Sequence, residues 1–426
     1  MMVLLFGILV SAACYGTGRR VLRLFNLGCD RLETFSFGTG LGLGILAYGV
    51  LILGIFHILT PIALWTLLGV FGIVGFFPSD SVDFSWLPLR HSDPEHNEGE
   101  ESKSLKSEIL RQPRKGAASL KPPQDDANFC FLLTGLVLIC LVCAFSGVLA
   151  PETANDSLCY HLNLPKQFLW AHQVFALPYD VNAGFPLLME MLYTLGLGIG
   201  GAGLAKFFHF LTGLITAGCI AAAASRMVPS QYGKWAGLLF LTTPGILNQL
   251  GTTYVDVGLA CFTALALAAC LRGLFLDVNQ EKKWLALGGV FCGLALSIKF
   301  LAITFTLAFC ALIALESWLK HKKTGAVLKN LLSFMIPAAL FSFFWYLRSF
   351  LIWGNPVYPY FYQIFKSGDP TIHYTDIGLP RNLISFLTAP LYMTFQPAKF
   401  EGFGDQIGPA YLALAPLAFM KPLWTA

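Results

Sequence analysis

The stretch FCFLLTGLVLICLVCAFSGVLA, residues 129–150, carries no charged side chain and gives way at once to PETANDSLCYHLNLPKQFLW, residues 151–170. A run of that length lets a helix cross a hydrocarbon core roughly 30 Å thick. Lipid leaves the backbone only helices or closed barrels, and the run lacks the apolar–polar alternation of a barrel strand. Similar runs recur near 2–16, 36–58, 61–77, 201–224, 235–250, 254–271, 284–299, 301–317, 330–352 and 408–424. Of the 426 residues, 56% are apolar and only 12% charged, against about 25% charged in a soluble domain. The sequence predicts an all-α, polytopic transmembrane helix bundle of about 11 spans.

Basic residues set the expected orientation. With 17–35 in the cytoplasm, alternation also puts 78–128, 225–234, 272–283 and 318–329 there, and these five segments hold 20 of the 28 Lys and Arg residues. That is the positive-inside pattern. The stretch 151–200, the turns near 251 and 300, and a long loop 353–407 then face outward. Residues 1–77 form a three-helix membrane extension and 129–426 the main core. Between them 78–128, with HSDPEHNEGEESKSLKSEILRQPRKGAASLKPPQDD, is polar and rich in Pro, Ser and Gly. Such a segment cannot bury a core and is expected to be a flexible cytoplasmic linker.

The 11 cysteines sit mostly inside apolar runs, Cys140 and Cys143 among them, and read as small core residues. Only Cys159 falls in an outward polar stretch, so no external disulfide is expected. GLGIGG at 196–201 fits a dinucleotide-binding pattern but lacks the strand that must precede it, so it reads as a flexible entry to the next span. The net charge of +4 says little in a membrane chain, and no nucleic-acid partner is expected.

The outward edges collect ionisable residues. A helix over 156–169 would set Asp156, Tyr160, Asn163 and Gln167 on one face and Leu158, Leu162 and Leu169 on the other, as on a membrane surface. Pro165 would divide it into two short amphipathic pieces or kink one. Glu190 follows in a second apolar segment, Asp256 opens a span in GTTYVDVG, and Lys299 sits at a turn in ALSIKF. Arg348, Asn355 and Tyr358 lie in WYLRSFLIWGNPVYPYFY. Ionisable groups at membrane depth cost on the order of 3 kcal/mol, so they are functional candidates by default. Plainer roles stand beside these. Asp156 and Asp256 could cap helices, Lys299 and Arg348 could snorkel to headgroups, His161 could pack or support another ligand, and Trp353 and the tyrosines could form an interfacial belt.

NDSLCYH, YVD, GLALSIKF, WYLRSFLIWGNPVYPY and GPAYLALAPL together resemble the multispanning GT-C glycosyltransferases, nearest the bacterial dolichyl-phosphate-mannose-transferase-like group. The resemblance covers about 129–424. It implies a membrane glycosyltransferase working at the outer face, in a cavity beneath the first external loop, with a polyprenyl-phosphate sugar as donor, a glycan, lipid or protein as acceptor, and inversion at the anomeric carbon. Carried onto this sequence, it makes Asp156 the general base. Lys299 and Arg348 become candidates for the lipid phosphate, with Tyr160, His161, Lys166, Asn355 and Tyr358 lining the substrate. Some relatives hold a divalent metal such as Mg or Mn, for which Glu190 and Asp256, with Asp156 or His161, would be the supporting acids. The expected location is a bacterial inner membrane, among membrane lipids, with the site on the periplasmic side.

The chain departs from that family in two places. Three helices and a linker precede the acidic loop, and few spans follow the Asn-Pro-Val-Tyr-Pro block, as if the carboxy-terminal part were truncated. Three alternatives remain open at this stage: a flippase or transporter of a lipid-linked saccharide, an O-antigen ligase or polymerase-like enzyme, and an inactive scaffold.

Overall fold

The computed structural model describes residues 2–76, 126–177, 180–227, 230–367, 378–400 and 407–416. It divides into two compact units, one of residues 1–76 with 139–426 and one of residues 77–138. The chain begins with α1 (Met2–Leu24), α2 (Arg31–Ile55) and α3 (Pro61–Phe76). Next come α4 (Asp126–Leu149), α5 (Asn163–Ala171), α6 (Leu188–Gly200) and α7 (Ala202–Met227). They are followed by α8 (Ser230–Leu241), α9 (Pro244–Gln249), α10 (Asp256–Leu271) and α11 (Glu281–Leu296). Then α12 (Ala302–His321) and α13 (Thr324–Trp353) precede the short α14 (Tyr362–Phe365), α15 (Leu383–Phe395) and α16 (Ala410–Leu414). Every regular element among the described residues is helical. The protein is an all-α membrane helix bundle.

Among the described residues, six helices are long and apolar enough to span: α1, α2, α7, α10 with its extension to Leu276, α12 and α13. Four shorter apolar helices accompany them: Pro61–Phe76, Thr134–Leu149, Leu188–Gly200 and Leu383–Phe395. The expected spans differ from this in instructive ways. The run 235–250 is broken between α8 and α9, because Pro244 has no N–H to continue a helix and instead opens the next one. Of 408–424, α16 accounts for Ala410–Leu414 and residues 417–426 lie outside the description. The external loop 353–407 contains the 13-residue helix α15. Most of the linker 78–128 also lies outside the described residues, and α4 starts at Asp126, inside the expected linker. The glycines of GLGIGG are not a flexible entry. Gly196, Gly198 and Gly200 are the end of α6, and the break comes at Gly201, whose φ of 78° suits glycine.

Burial separates core from periphery. The apolar window of α7 is 72% buried by protein and that of α2 67%, whereas α12 and α13 reach 28% and 22%. The apolar faces left open on α12 and α13 are those suited to lipid. The first three helices belong to the same compact unit as the later ones. Glycine makes the α1–α2 crossing close: a Cβ on Gly18 would lie 1.8 Å from the Gly38 carbonyl oxygen, and one on Gly42 2.0 Å from that of Cys14. Within a membrane, such small-residue contacts replace the hydrophobic drive that lipid cannot supply.

Ions fasten one end of the bundle. Asp30 caps α2, accepting from the Leu32 and Glu33 N–H groups at 2.9 Å, while the Glu33 carboxylate accepts from the Asp30 N–H in return. At the end of α7, Arg226 donates to Asp30 at 2.8 Å and to Glu33 at 2.7 Å. From the π-helical turn that continues α10, Arg272 lies 3.3 Å from the other Glu33 oxygen and donates to the Gly28 carbonyl at 2.8 Å. The buried Glu33 thus joins three helices. At the opposite end, the Leu59 N–H donates to the His172 carbonyl, the Val174 N–H to that of Gly54, and the Leu188 N–H to that of Ser297. These backbone bonds tie the loops at that end to one another.

Glu33→Ala would leave two arginines facing each other around a vacated acid, a loss of about 3–5 kcal/mol by analogy with broken buried ion pairs. The expected result is a markedly lower unfolding temperature in detergent. An unchanged midpoint would show that Glu33 does not hold this end together.

Candidate functional site

The site is built from the stretch that follows α4. Lys206, buried on α7, donates from Nζ to the carbonyls of Gly147 at 2.7 Å and Ala150, so a cation closes the carboxyl end of α4 where free carbonyls accumulate. The chain then turns on Glu152. One of its carboxylate oxygens accepts from the N–H groups of Thr153 and Ala154 at 2.9 and 3.0 Å. The other accepts from the Thr253 N–H at 3.0 Å and the Thr253 hydroxyl at 3.4 Å. The Ser157 hydroxyl also accepts from the Thr253 N–H, at 3.2 Å. Residues 152–157 are thereby tied to the turn before α10.

His209, inside α7, fixes that turn from beneath. Its Nδ1 faces the carbonyls of Gln249 and Thr252 at 3.0 and 3.1 Å, and its Nε2 lies 3.2 Å from the Val257 N–H. Two acceptors at Nδ1 and one donor at Nε2 select the neutral tautomer with the proton on Nδ1. The Tyr193 hydroxyl of α6 donates to the Tyr254 carbonyl, adding a further tie.

The expected helix over 156–169 is two pieces, and the division falls at Leu162 rather than at Pro165. Ser157–His161 form one π-helical turn, closed by the Leu162 N–H donating to the Ser157 carbonyl at 2.8 Å. Pro165 lies in the first turn of α5, where its missing N–H costs nothing. Because a π turn advances less per residue than an α turn, the expected faces rotate: Leu158 is exposed while Ser157 and His161 are buried. Single π turns of this kind are frequent at functional sites.

The turn brings the ring of Tyr160 to 3.9 Å from that of His161, with Tyr254 6.3 Å beyond His161. His161 Nδ1 lies 2.6 Å from a Glu190 carboxylate oxygen, and both side chains are almost wholly buried. The second Glu190 oxygen is buried without a partner. Asp156 is exposed and makes no hydrogen bond as a cap, its backbone already being helical at φ −63° and ψ −34°. Asp256 is the first residue of α10, also without a capping bond, and accepts from Lys299 Nζ at 2.8 Å. Each of these two side chains is 44% exposed, so both remain within reach of a ligand. Burial, followed by the nearby charges of Asp156, Glu190 and Asp256, pushes the Tyr160 phenol well above its usual range. Tyr160 is held there as a neutral hydroxyl, and its surroundings gather the acids from three separate segments.

The other expected site residues stand elsewhere. Arg348 is buried and donates to the carbonyls of Ala183 at 2.7 Å and Phe175 at 3.2 Å, with its guanidinium 5.9 Å over Trp353. It fastens the loop before α6 to α13 instead of facing a phosphate. Asn355 is fully buried: its amide donates to the Tyr360 carbonyl at 2.8 Å and the Ser367 hydroxyl at 3.1 Å, and its Oδ1 accepts from the Val357 N–H at 2.9 Å. Tyr358 stacks on Trp353 at 5.3 Å with the planes 6° apart. These residues shape the Asn-Pro-Val-Tyr-Pro turn from within. Lys166 is exposed on α5 and sits 4.6 Å over Trp170. Among the described residues no three His, Cys, Asp or Glu side chains gather closely enough to hold a metal ion. The proposed Mg or Mn set of Asp156, Glu190, His161 and Asp256 therefore does not fit, and no step below passes through a metal.

Glu152, Lys206 and His209 were absent from the expected site. Glu152 had a visible signal, an acid directly after a span, while Lys206 and His209 stood out only as ionisable residues within an apolar run.

A protein of Shigella flexneri described as uncharacterized is 29% identical to this chain over 133 residues, 31% of the chain and 66% of that protein. The match thus covers just under two thirds of the relative's length. No family model matches the chain, and no solved structure matches it.

Glu190→Ala would leave His161 buried without its acceptor, costing about 1–3 kcal/mol. Asp156→Asn removes no hydrogen bond and is expected to leave the unfolding temperature unchanged. Thermal unfolding of both variants in one detergent checks the contrast, and a large loss with Asp156→Asn would make that carboxylate structural.

Proposed function

We propose that this protein is a GT-C-type membrane glycosyltransferase that moves a sugar from a polyprenyl-phosphate donor to an acceptor hydroxyl at the end of the bundle bearing Asp156. The observation that carries this reading is Asp156 itself, an exposed carboxylate without a capping bond beside a protonated Tyr160 and the buried His161–Glu190 pair. The motifs around it add the likeness to enzymes of that type. A location in a bacterial inner membrane, with this end toward the periplasm, follows from the same likeness and from the distribution of basic residues.

In the reaction, the acceptor oxygen attacks the anomeric carbon from the face opposite the phosphate, and Asp156 takes the hydroxyl proton. General-base work of this kind needs a carboxylate within hydrogen-bond reach of that proton. As the anomeric carbon–oxygen bond breaks, its electron pair stays on the polyprenyl phosphate. Lys299 stabilises the charge developing there; its ammonium has three donors, and Asp256 occupies one of them. Tyr160, kept neutral, offers a hydroxyl to the sugar or the phosphate. Attack from the opposite face gives inversion. A transporter would draw its charges toward the middle of broken helices, whereas Asp156, Asp256 and Lys299 all sit at helix ends.

Sugar transfer from a polyprenyl-phosphate donor pool, measured in membranes with matched expression, tests the reading. Asp156→Asn is expected to lower transfer by about 10²–10⁴-fold, and Lys299→Gln by about 10²-fold. Equal transfer by wild type and both variants would remove this site from the chemistry.

A further inference from the structure

At the basic end of the bundle, a groove of about 370 Å³ opens between α11 and α13, lined by Lys282, Lys329, Leu332, Ser333, Ile336 and Pro337. We propose that this groove binds the headgroup and upper acyl chain of an anionic phospholipid from the surrounding bilayer, of the phosphatidylglycerol type. This site is separate from the transfer site and does not rest on that reading.

Three features point to that chemistry. The side chains of Lys282 and Lys329 are exposed and make no hydrogen bond or ion pair with any of the described residues. The neighbouring acid, Glu281, already faces Lys320 at 4.0 Å and His321 at 3.9 Å, so it does not neutralise them. Two free ammonium groups over one groove are suited to a phosphate, and each basic residue near an anionic membrane surface strengthens binding about fivefold, on the order of 1 kcal/mol.

The second feature is a free acceptor. Pro337 has no N–H, so the Ser333 carbonyl one turn earlier loses its helical donor. Both residues line the groove. The Ser333 hydroxyl does not compensate, since it donates to the Lys329 carbonyl at 2.8 Å. A headgroup hydroxyl can supply the missing donor, which favours a glycerol headgroup over choline.

The third feature is the gradient along the groove. From Lys329 to Pro337 the helix advances roughly 12 Å at 1.5 Å per residue. The lining passes from Lys329 past Leu332 and Ser333 to Ile336, which is 62% exposed. That is the order of a lipid entering from its phosphate to its chain.

The test is native mass spectrometry of the full chain in detergent with added phosphatidylglycerol or phosphatidylcholine. Wild type is expected to retain phosphatidylglycerol preferentially. Lys282→Gln with Lys329→Gln should lower that retention at least tenfold, while Lys322→Gln with Lys323→Gln, exposed on the same side but outside the groove, should leave it intact. Leu332→Trp, which fills the floor with the charges unchanged, should also weaken it. Equal retention of the two lipids, or equal loss in the two lysine pairs, would overturn the proposal, the second because it would mean diffuse attraction without a site.

Discussion

The Glu152 carboxylate is the constraint on which the rest of the site depends. It accepts from Thr153, Ala154 and both donors of Thr253, residues nearly a hundred positions apart in the chain. The π turn and the amino end of α10 are consequently presented as one surface. Asp156 and Asp256 can then stand near one another without either being used to hold the chain.

The division of labour among carboxylates follows. Glu33 and Glu152 turn inward and carry structure, Glu190 is buried against His161, and Asp156 and Asp256 stay accessible. Asn355 and Arg348 belong with the structural set. Each satisfies or uses backbone groups in loops that the membrane boundary would otherwise leave without partners, and a buried carbonyl without a donor is costly.

Much of this was legible in the sequence. The uncharged runs identify a membrane bundle, and the basic residues sort its ends. Asp156, His161, Glu190, Asp256 and Lys299 can be picked out because each interrupts an apolar context, although 29 and 43 positions separate the two pairs they form. Three things were not legible. Whether an arginine meets a ligand or a carbonyl depends on which loop acceptors are left over, and the loop at Phe175–Ala183 had to fold before Arg348 had an answer. A π turn has no periodicity signal over five residues, so the faces of the first external helix were rotated. Pro244 did signal a break, but within a run whose hydrophobicity suggested one continuous span.

The 30-residue α13 acts as a ruler. Lys329 at one end and Arg348 at the other are 19 positions apart in the sequence, roughly 29 Å along a helix axis, which is close to the thickness of an average hydrocarbon core. A lipid-facing helix of fixed length with cations at both ends resists sliding through the bilayer. In a thinner or thicker membrane it must tilt or deform the lipid around it, at fractions of a kcal/mol per Å of mismatch. Bilayer thickness thereby becomes a mechanical input to both ends of the molecule at once.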